Sequence, residues 1–394
     1  MRPVTIRGVG MTPFGRHLDR SMKDLGREAV ELALADAGVG IRDIQAVFFA
    51  NSLAGLITGQ ECIRGETVVA PLGIGTVPVH NVENACASGG NALHLGWLGV
   101  TSGLHDTVLV LGVEKANHED RQRMFSAYKA GMDLDEQFEV GEGAGTDRSP
   151  FVDRQAKLAQ MLMSERGLTN EAFAHVAARA HTNGSHNPVA HRQYGATPES
   201  VLEARTVVDP ITVLMSSPVS DGAAAAVLSA HDVTDATARD VDIVASRMAT
   251  RPPLDQEGGL TAAAASIQAA YEAAGLGPDD VDVAELHDAS VAYEIMAWRE
   301  SGLCPPGDEL DWAMSGHTKI DGPMPINPSG GLIARGHALG ASGIAQVHEL
   351  VDQLRGESGD RQVRDPKVAL AQVGGGVIAW ETAVSSAHLL RRRS

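Results

Sequence analysis

Ala274-Gly275-Leu276-Gly277-Pro278-Asp279-Asp280-Val281-Asp282-Val283 reads, position for position, against Ala37-Gly38-Val39-Gly40-Ile41-Arg42-Asp43-Ile44-Gln45-Ala46. Both copies join an Ala-rich helix to an apolar strand. Upstream of the first copy, Ser21 is a plausible N-cap, and Leu25, Ala29, Leu32 and Ala33 follow at helical spacing before Gly38 stops the helix. The strand Ala46-Val47-Phe48-Phe49-Ala50 comes next. A second echo pairs Ala87-Ser88-Gly89 with Ala341-Ser342-Gly343, each opening a helical stretch that leads to an apolar strand, Thr107 to Leu111 and Val368 to Ala371. Two matches in the same order indicate a duplicated unit. Helices alternating with short apolar strands predict an α/β layer structure, and two such units packed together give five layers, αβαβα, with the inner helices buried.

The repeat is interrupted. From Asn117 to Arg205 the texture turns polar and helix-rich, with helical stretches from Phe151 to Arg166 and from Asn170 to His181. We read 117–205 as an inserted loop domain, either a cap over a substrate site or a purely structural excursion. The first half is then 1–116 with 206–236, and the second is 237–394.

The 394 residues, 43% of them hydrophobic, can bury a full core, and the formal charge of −18 disfavours nucleic acid as a partner. Cys62, Cys86 and Cys304 lie far apart, without disulfide or metal-ligand spacing, so no metal is expected. The start, Met1-Arg2-Pro3-Val4, lacks the apolar core of a signal peptide, and no stretch is apolar enough to span a bilayer, so we expect a soluble, cytoplasmic protein without a membrane partner. Arg391-Arg392-Arg393-Ser394 reads as a frayed, solvated tail.

Four blocks carry residues able to do chemistry. Glu83-Asn84-Ala85-Cys86-Ala87-Ser88-Gly89-Gly90 lies between the apolar run Val77 to Val82 and the helical stretch Asn91 to Leu98. A thiol at such a strand-to-helix turn feels the helix dipole, which favours thiolate. Gly331-Leu332-Ile333-Ala334-Arg335-Gly336-His337-Ala338-Leu339-Gly340 sets one imidazole in a glycine-rich loop that matches no phosphate-binding motif. Glu285-Leu286-His287-Asp288-Ala289-Ser290 places a second imidazole where a strand gives way to a helix, suited to an oxyanion hole. Gln372-Val373-Gly374-Gly375-Gly376 follows a strand and frees backbone N–H groups to face a ligand. Each block alone also reads as structural: a packed cysteine, a core histidine, a helix cap, a tight turn.

Together, in this order, the blocks resemble the thiolase superfamily, most closely sterol-carrier-protein-type thiolases and bacterial thiolase-like acetyl-CoA acetyltransferases. His181-Thr182-Asn183-Gly184-Ser185-His186-Asn187-Pro188 and Ser220-Asp221-Gly222-Ala223-Ala224-Ala225 also look like family segments, so the resemblance covers nearly the whole chain. It implies a thiolase fold of two βαβαβαββ halves with an inserted loop domain, assembled as a dimer or tetramer. It implies coenzyme A or acyl-CoA as substrate, Cys86 as nucleophile and His337 as its base. His287 and His337 would form one oxyanion hole, and the backbone N–H groups of Cys86 and Gly374 the other. Arg154, Lys157, Arg179 and Arg192 would be candidates to meet the CoA phosphates. Related bacterial proteins work with a small zinc-ribbon and OB-fold partner that helps bind acyl-CoA.

The pattern has one departure. Gln372 stands where many thiolases have the cysteine of Cys-x-Gly, and Ala289 fills the cysteine position of a His-Asp-Cys block, so the second catalytic cysteine is missing. Tyr293 or Cys304 are the substitute acids within reach in sequence. The alternatives are a C–C lyase of retro-aldolase type acting on a branched acyl-CoA, and a non-catalytic acyl-CoA or lipid-binding subunit.

Overall fold

The computed structural model describes residues 2–136, 140–231, 239–253 and 260–393; the boundary expected at 236/237 lies outside them. The first half runs β1 (Val4–Met11), α1 (Met22–Ala37), β2 (Val47–Ala50), β3 (Val79–Val82), α2 (Ser88–Thr101), β4 (Thr107–Glu114) and, after the insertion, β5 (Gly222–Ala230). Ser21 caps α1 in a reciprocal capping box with Asp24, and Gly38 closes it at φ +65°. The insertion contributes α3 (Phe151–Arg166) and α4 (Asn170–Ser185). The second half runs β6 (Val241–Thr250), α5 (Ala262–Ala274), β7 (Val283–Glu285), α6 (Val291–Glu300), a short turn of helix α7 (Gly331–Ala334), α8 (Leu339–Arg355), β8 (Val368–Ile378) and β9 (Glu381–Arg392).

The strands lie in the order β3-β2-β4-β5-β1-β6-β9-β8-β7. Among the described residues the two halves of this sheet pair at Thr5 with Asp242 and Ile6 with Val241. The second half's own edge beyond β7 is reduced to one parallel bridge, Ala284 to Ile326. Helix α1 covers the outer face of the first half and α5 that of the second, while α2 and α8 lie between the two sheet halves. This gives the five expected layers. The inner pair approaches closely because it lacks side chains at the contact: a Cβ on Gly89 would sit 2.8 Å from Gly340 O, and one on Gly343 would sit 2.5 Å from Gly90 N. The two copies of the Ala-Ser-Gly echo thus pack on each other.

The insertion is built into the second half's core. Leu162 and Phe173 share one apolar cluster with Leu286, Ile295 and Trp298, each such side chain contributing about 1.5–3 kcal/mol by leaving water. The C-terminal arginines are not frayed: Arg391 and Arg392 end β9, Arg392 pairs with Asp365 and Arg393 with Asp240. No helix among the described residues is long and apolar enough to cross a membrane.

Candidate active site

The chain reaches Cys86 through a strained elbow. Glu83 Oε1 accepts the Ala85 N–H at 2.6 Å and Ser88 Oγ accepts the Asn84 N–H at 2.9 Å. Between these bonds Ala85 is held at φ +49°, a region a residue with a Cβ seldom enters. One 3-10 turn, Ala85–Ala87, then feeds α2. Cys86 therefore stands at the expected strand-to-helix junction, but its thiol is not activated there. Burial, with Glu114 and Glu83 adding to it, pushes the thiol up to about 12, against the expectation of a thiolate favoured by the helix dipole. The resting side chain keeps its proton and needs a base.

His337 can be that base because its tautomer is set. Its Nδ1 lies 2.8 Å from Ser342 Oγ, and the single proton of that hydroxyl is donated to Ala338 O at 3.0 Å. Ser342 must then accept from Nδ1–H, which leaves Nε2 with a bare lone pair and no partner among the described residues. Burial, His287 and Arg335 hold this imidazole well below its usual pKa, so it is neutral. His287 follows β7; burial, then Arg154, lowers it to about 4. The two rings sit edge to face with centroids 5.7 Å apart.

A buried scaffold fixes that spacing. Glu285, the last residue of β7, pairs with Arg335 at 3.0 Å, tying the His287 strand to the His337 loop. Asp288 Oδ1 accepts the Leu332 N–H at 2.7 Å. Gly331, at φ +60°, is required here, since a Cβ would fall 1.9 Å from Asp288 Oδ2. The backbone N–H of His287 donates to Gln372 Oε1, and Gln372 Nε2 donates to Ser385. The residue standing at the missing cysteine is thus a support behind the imidazole. Glu114 binds the halves together, accepting N–H groups of Ser52, Leu53 and Gly340.

One cavity is lined by Cys86, His287, His337 and Gly374, with Tyr293, Arg154 and Ala289 on its wall. Cys86 and His337, 251 positions apart in the chain, meet there. The Tyr293 hydroxyl and His287 Nδ1 have no partner among the described residues. The terminal glycines lie inside β8, not after it: the strand runs on to Ile378. Other expectations require correction. Cys304 is 1% exposed in the second half's core, away from the cavity, so it cannot serve as the substitute acid. Arg179 is buried and spent on Glu294. Arg192 is buried and donates to the carbonyls of Ser216, Ile333 and Val213. Neither can meet a phosphate. Lys157 is exposed with its ammonium 4.3 Å from the Trp380 ring centroid, and Arg154 faces the cavity interior. Sequence reasoning missed Ser342 as a partner of His337, although the residue lay inside the quoted echo. It also missed the Glu285–Arg335 pair, both of whose members stand in the quoted blocks.

Fold and cavity define the class: a duplicated α/β protein whose two halves bring a thiol, two imidazoles and a glycine-rich strand to a shared chamber. Comparison with known proteins fixes the family. The model described as the thiolase N-terminal domain matches residues 4–232, and that described as thiolase C-terminal domain-like matches 253–386. The chain belongs to the thiolase family. It is 38% identical to an acetyl-CoA acetyltransferase of Methanothermobacter thermautotrophicus over 95% of this chain and 97% of the relative. It is 35% identical to sterol carrier protein 2 of Gallus gallus over 96% of this chain and 71% of the relative. A benzoylsuccinyl-CoA thiolase subunit, BbsB, of Thauera aromatica is 32% identical over 95% of both chains. Among solved structures, the Ltp2-ChsH2(DUF35) aldolase has the same fold, with TM-score 0.79 at 24% identity over 99% of this chain and 98% of the other.

Proposed function

We propose that the protein is a CoA-dependent acyltransferase that makes or cleaves the C–C bond of a 3-oxoacyl-CoA through an acyl-Cys86 intermediate. The observation that carries this reading is the bare Nε2 of a tautomer-fixed His337 lining the same cavity as the Cys86 thiol. In the cleaving direction, His337 Nε2 takes the Sγ proton as sulfur attacks the 3-oxo carbon. The C2–C3 bond breaks, the acyl group stays on sulfur, and the electron pair passes to the acetyl-CoA enolate, which takes up a proton. Attack by the thiol of a second CoA on the acyl-cysteine then releases the shortened acyl-CoA. His337, once protonated, and His287 steady the thioester or enolate oxygen, and the backbone N–H groups of Cys86 and Gly374 the other oxyanion. Cys86 is the only cysteine among the described residues lining the cavity, so the enolate's proton falls to Tyr293, whose unpartnered hydroxyl stands beside His287.

Phe151, Val152 and Arg154 of the insertion form part of the cavity wall, which supports 117–205 as the loop domain that receives acyl-CoA, with Lys157 outside for its phosphates. We place the enzyme in the cytoplasm, as a homodimer aided by a small zinc-ribbon and OB-fold protein. Incubation with an acyl-CoA is expected to add one acyl group to Cys86, seen by intact-mass and peptide mass spectrometry, and Cys86→Ala to abolish turnover. The absence of an acid at Ala289 favours a second reading, a C–C lyase; a Cys86→Ala chain that retained most of its activity would establish it instead.

A further inference from the structure

Arg154 is the one arginine or lysine among the described residues that line the Cys86 cavity. It projects from the first turn of α3. Its Nε donates to Trp380 O at 2.7 Å and its guanidinium carbon lies 4.9 Å from the centroid of the Tyr293 ring. Its two terminal nitrogens have no hydrogen-bond partner and no ion-pair partner among the described residues. Neighbouring arginines of the insertion are neutralised: Arg148 by Asp153, Arg166 by Glu309, Arg179 by Glu294. The two carboxylates whose charge reaches Arg154, Glu300 and Glu381, are engaged elsewhere, the first by the Thr261 hydroxyl and the second by Arg251.

An unpaired cation in a chamber lined mostly by apolar groups is costly unless a ligand supplies the counter-charge. The phosphates of CoA cannot do so at this depth, since the pantetheine arm separates them from the thioester that must lie against Cys86. The charge of Arg154 reaches both the Cys86 sulfur and the His287 ring. That leaves the acyl group. Resting on the acyl-CoA reading above, we propose that Arg154 selects an acyl chain bearing a carboxylate, so that the substrate is a CoA thioester of a dicarboxylic acid. The planar guanidinium, braced through Nε and by the Tyr293 ring, keeps its two outer N–H₂ groups free for a forked pair with that carboxylate.

The test is binding by the full chain carrying Cys86→Ala, which removes acyl transfer from the readout. Calorimetry would compare succinyl-CoA with butyryl-CoA, and glutaryl-CoA with pentanoyl-CoA. We expect the carboxylated member of at least one pair to bind about 10- to 100-fold tighter, and Arg154→Gln to erase that preference while leaving free CoA and the neutral thioesters within about threefold. No preference in either pair, or equal weakening of both thioesters and free CoA by Arg154→Gln, overturns the inference. The acyltransferase reading fails separately, by absence of the acyl adduct on unsubstituted Cys86.

Discussion

Replacing Ser342 with alanine removes the one contact that tells His337 which nitrogen to protonate. With the hydroxyl present, Nδ1–H has an acceptor at 2.8 Å and Nε2 is bare. Without it, the tautomer needed for catalysis buries an N–H with no partner, at ~1–3 kcal/mol. The opposite tautomer escapes that cost by turning its N–H toward the cavity, where it can no longer accept the Cys86 proton. Ala338 O is not orphaned by the change, because it still accepts from the Ala341 and Ser342 N–H groups, so the loss falls on the imidazole. The competent form is therefore disfavoured by the same ~1–3 kcal/mol, and acylation of Cys86 should slow roughly 5- to 150-fold. Rapid-quench mass spectrometry of the acyl-enzyme measures this directly, with thermal unfolding run alongside to confirm a folded sample. A folded Ser342→Ala chain that acylates within about twofold of the parent would refute the assignment of the tautomer.

Three further outcomes are expected. The ultraviolet absorbance of thiolate, taken as the difference between the native chain and Cys86→Ala, should be absent at neutral pH and emerge only above about pH 10, because burial lifts the thiol to about 12; a signal at pH 7 would reveal a pre-formed thiolate–imidazolium pair. Gly331→Ala drives a Cβ into Asp288 Oδ2 at 1.9 Å and strains a backbone at φ +60°, so it should cost ~3 kcal/mol or more in denaturant unfolding, and an unchanged midpoint would contradict the packing described. Arg335→Met leaves Glu285 buried without its cation and should cost ~3–5 kcal/mol near pH 8. Burial already raises the Glu285 carboxyl pKa while Arg335 pulls it down, so the variant's folded form holds a proton that its unfolded form releases. Its deficit should shrink toward pH 5, and a deficit that grew on acidification would show the sign to be wrong.

How much of this was written in the sequence depends on how far apart the partners lie. Ser21 and Gly38 announced α1 because a helix cap is a local event, and the Ala-Gly to strand echo announced the duplication because both copies keep their own local order. Cys86, His287 and His337 could be named as candidates since each sits in a block with distinctive neighbours. The arginines could not be ranked. Arg179 is neutralised by Glu294 whereas Arg154 has no ion-pair partner among the described residues, yet both are arginines on helices of one insertion, and the difference arises from a carboxylate more than a hundred residues away. The thiol was misjudged for the same reason. A helix N-terminus is visible in sequence, whereas the desolvation that outweighs it is made by residues from both halves. Gln372 looked like a lost cysteine, and only the folded chain shows its amide backing the His287 peptide.

The duplication also accounts for how one scaffold supplies both partners of the proposed proton transfer. The echoed serines perform matching tasks in the two halves. Ser88 accepts the Asn84 N–H and donates to Ala85 O, bracing the elbow that presents Cys86. Ser342 accepts from His337 and donates to Ala338 O, bracing the imidazole. In register with the echo, His337 occupies the place of Glu83, whose carboxylate holds the first elbow by accepting the Ala85 N–H. The position that is an internal strut in one copy holds the proposed base in the other. The glycines of α2 and α8 let the two serine turns pack against one another. A side chain introduced at Gly89 or Gly343 would run into the backbone of the opposite turn, 2.8 Å from Gly340 O or 2.5 Å from Gly90 N, and force the two turns apart.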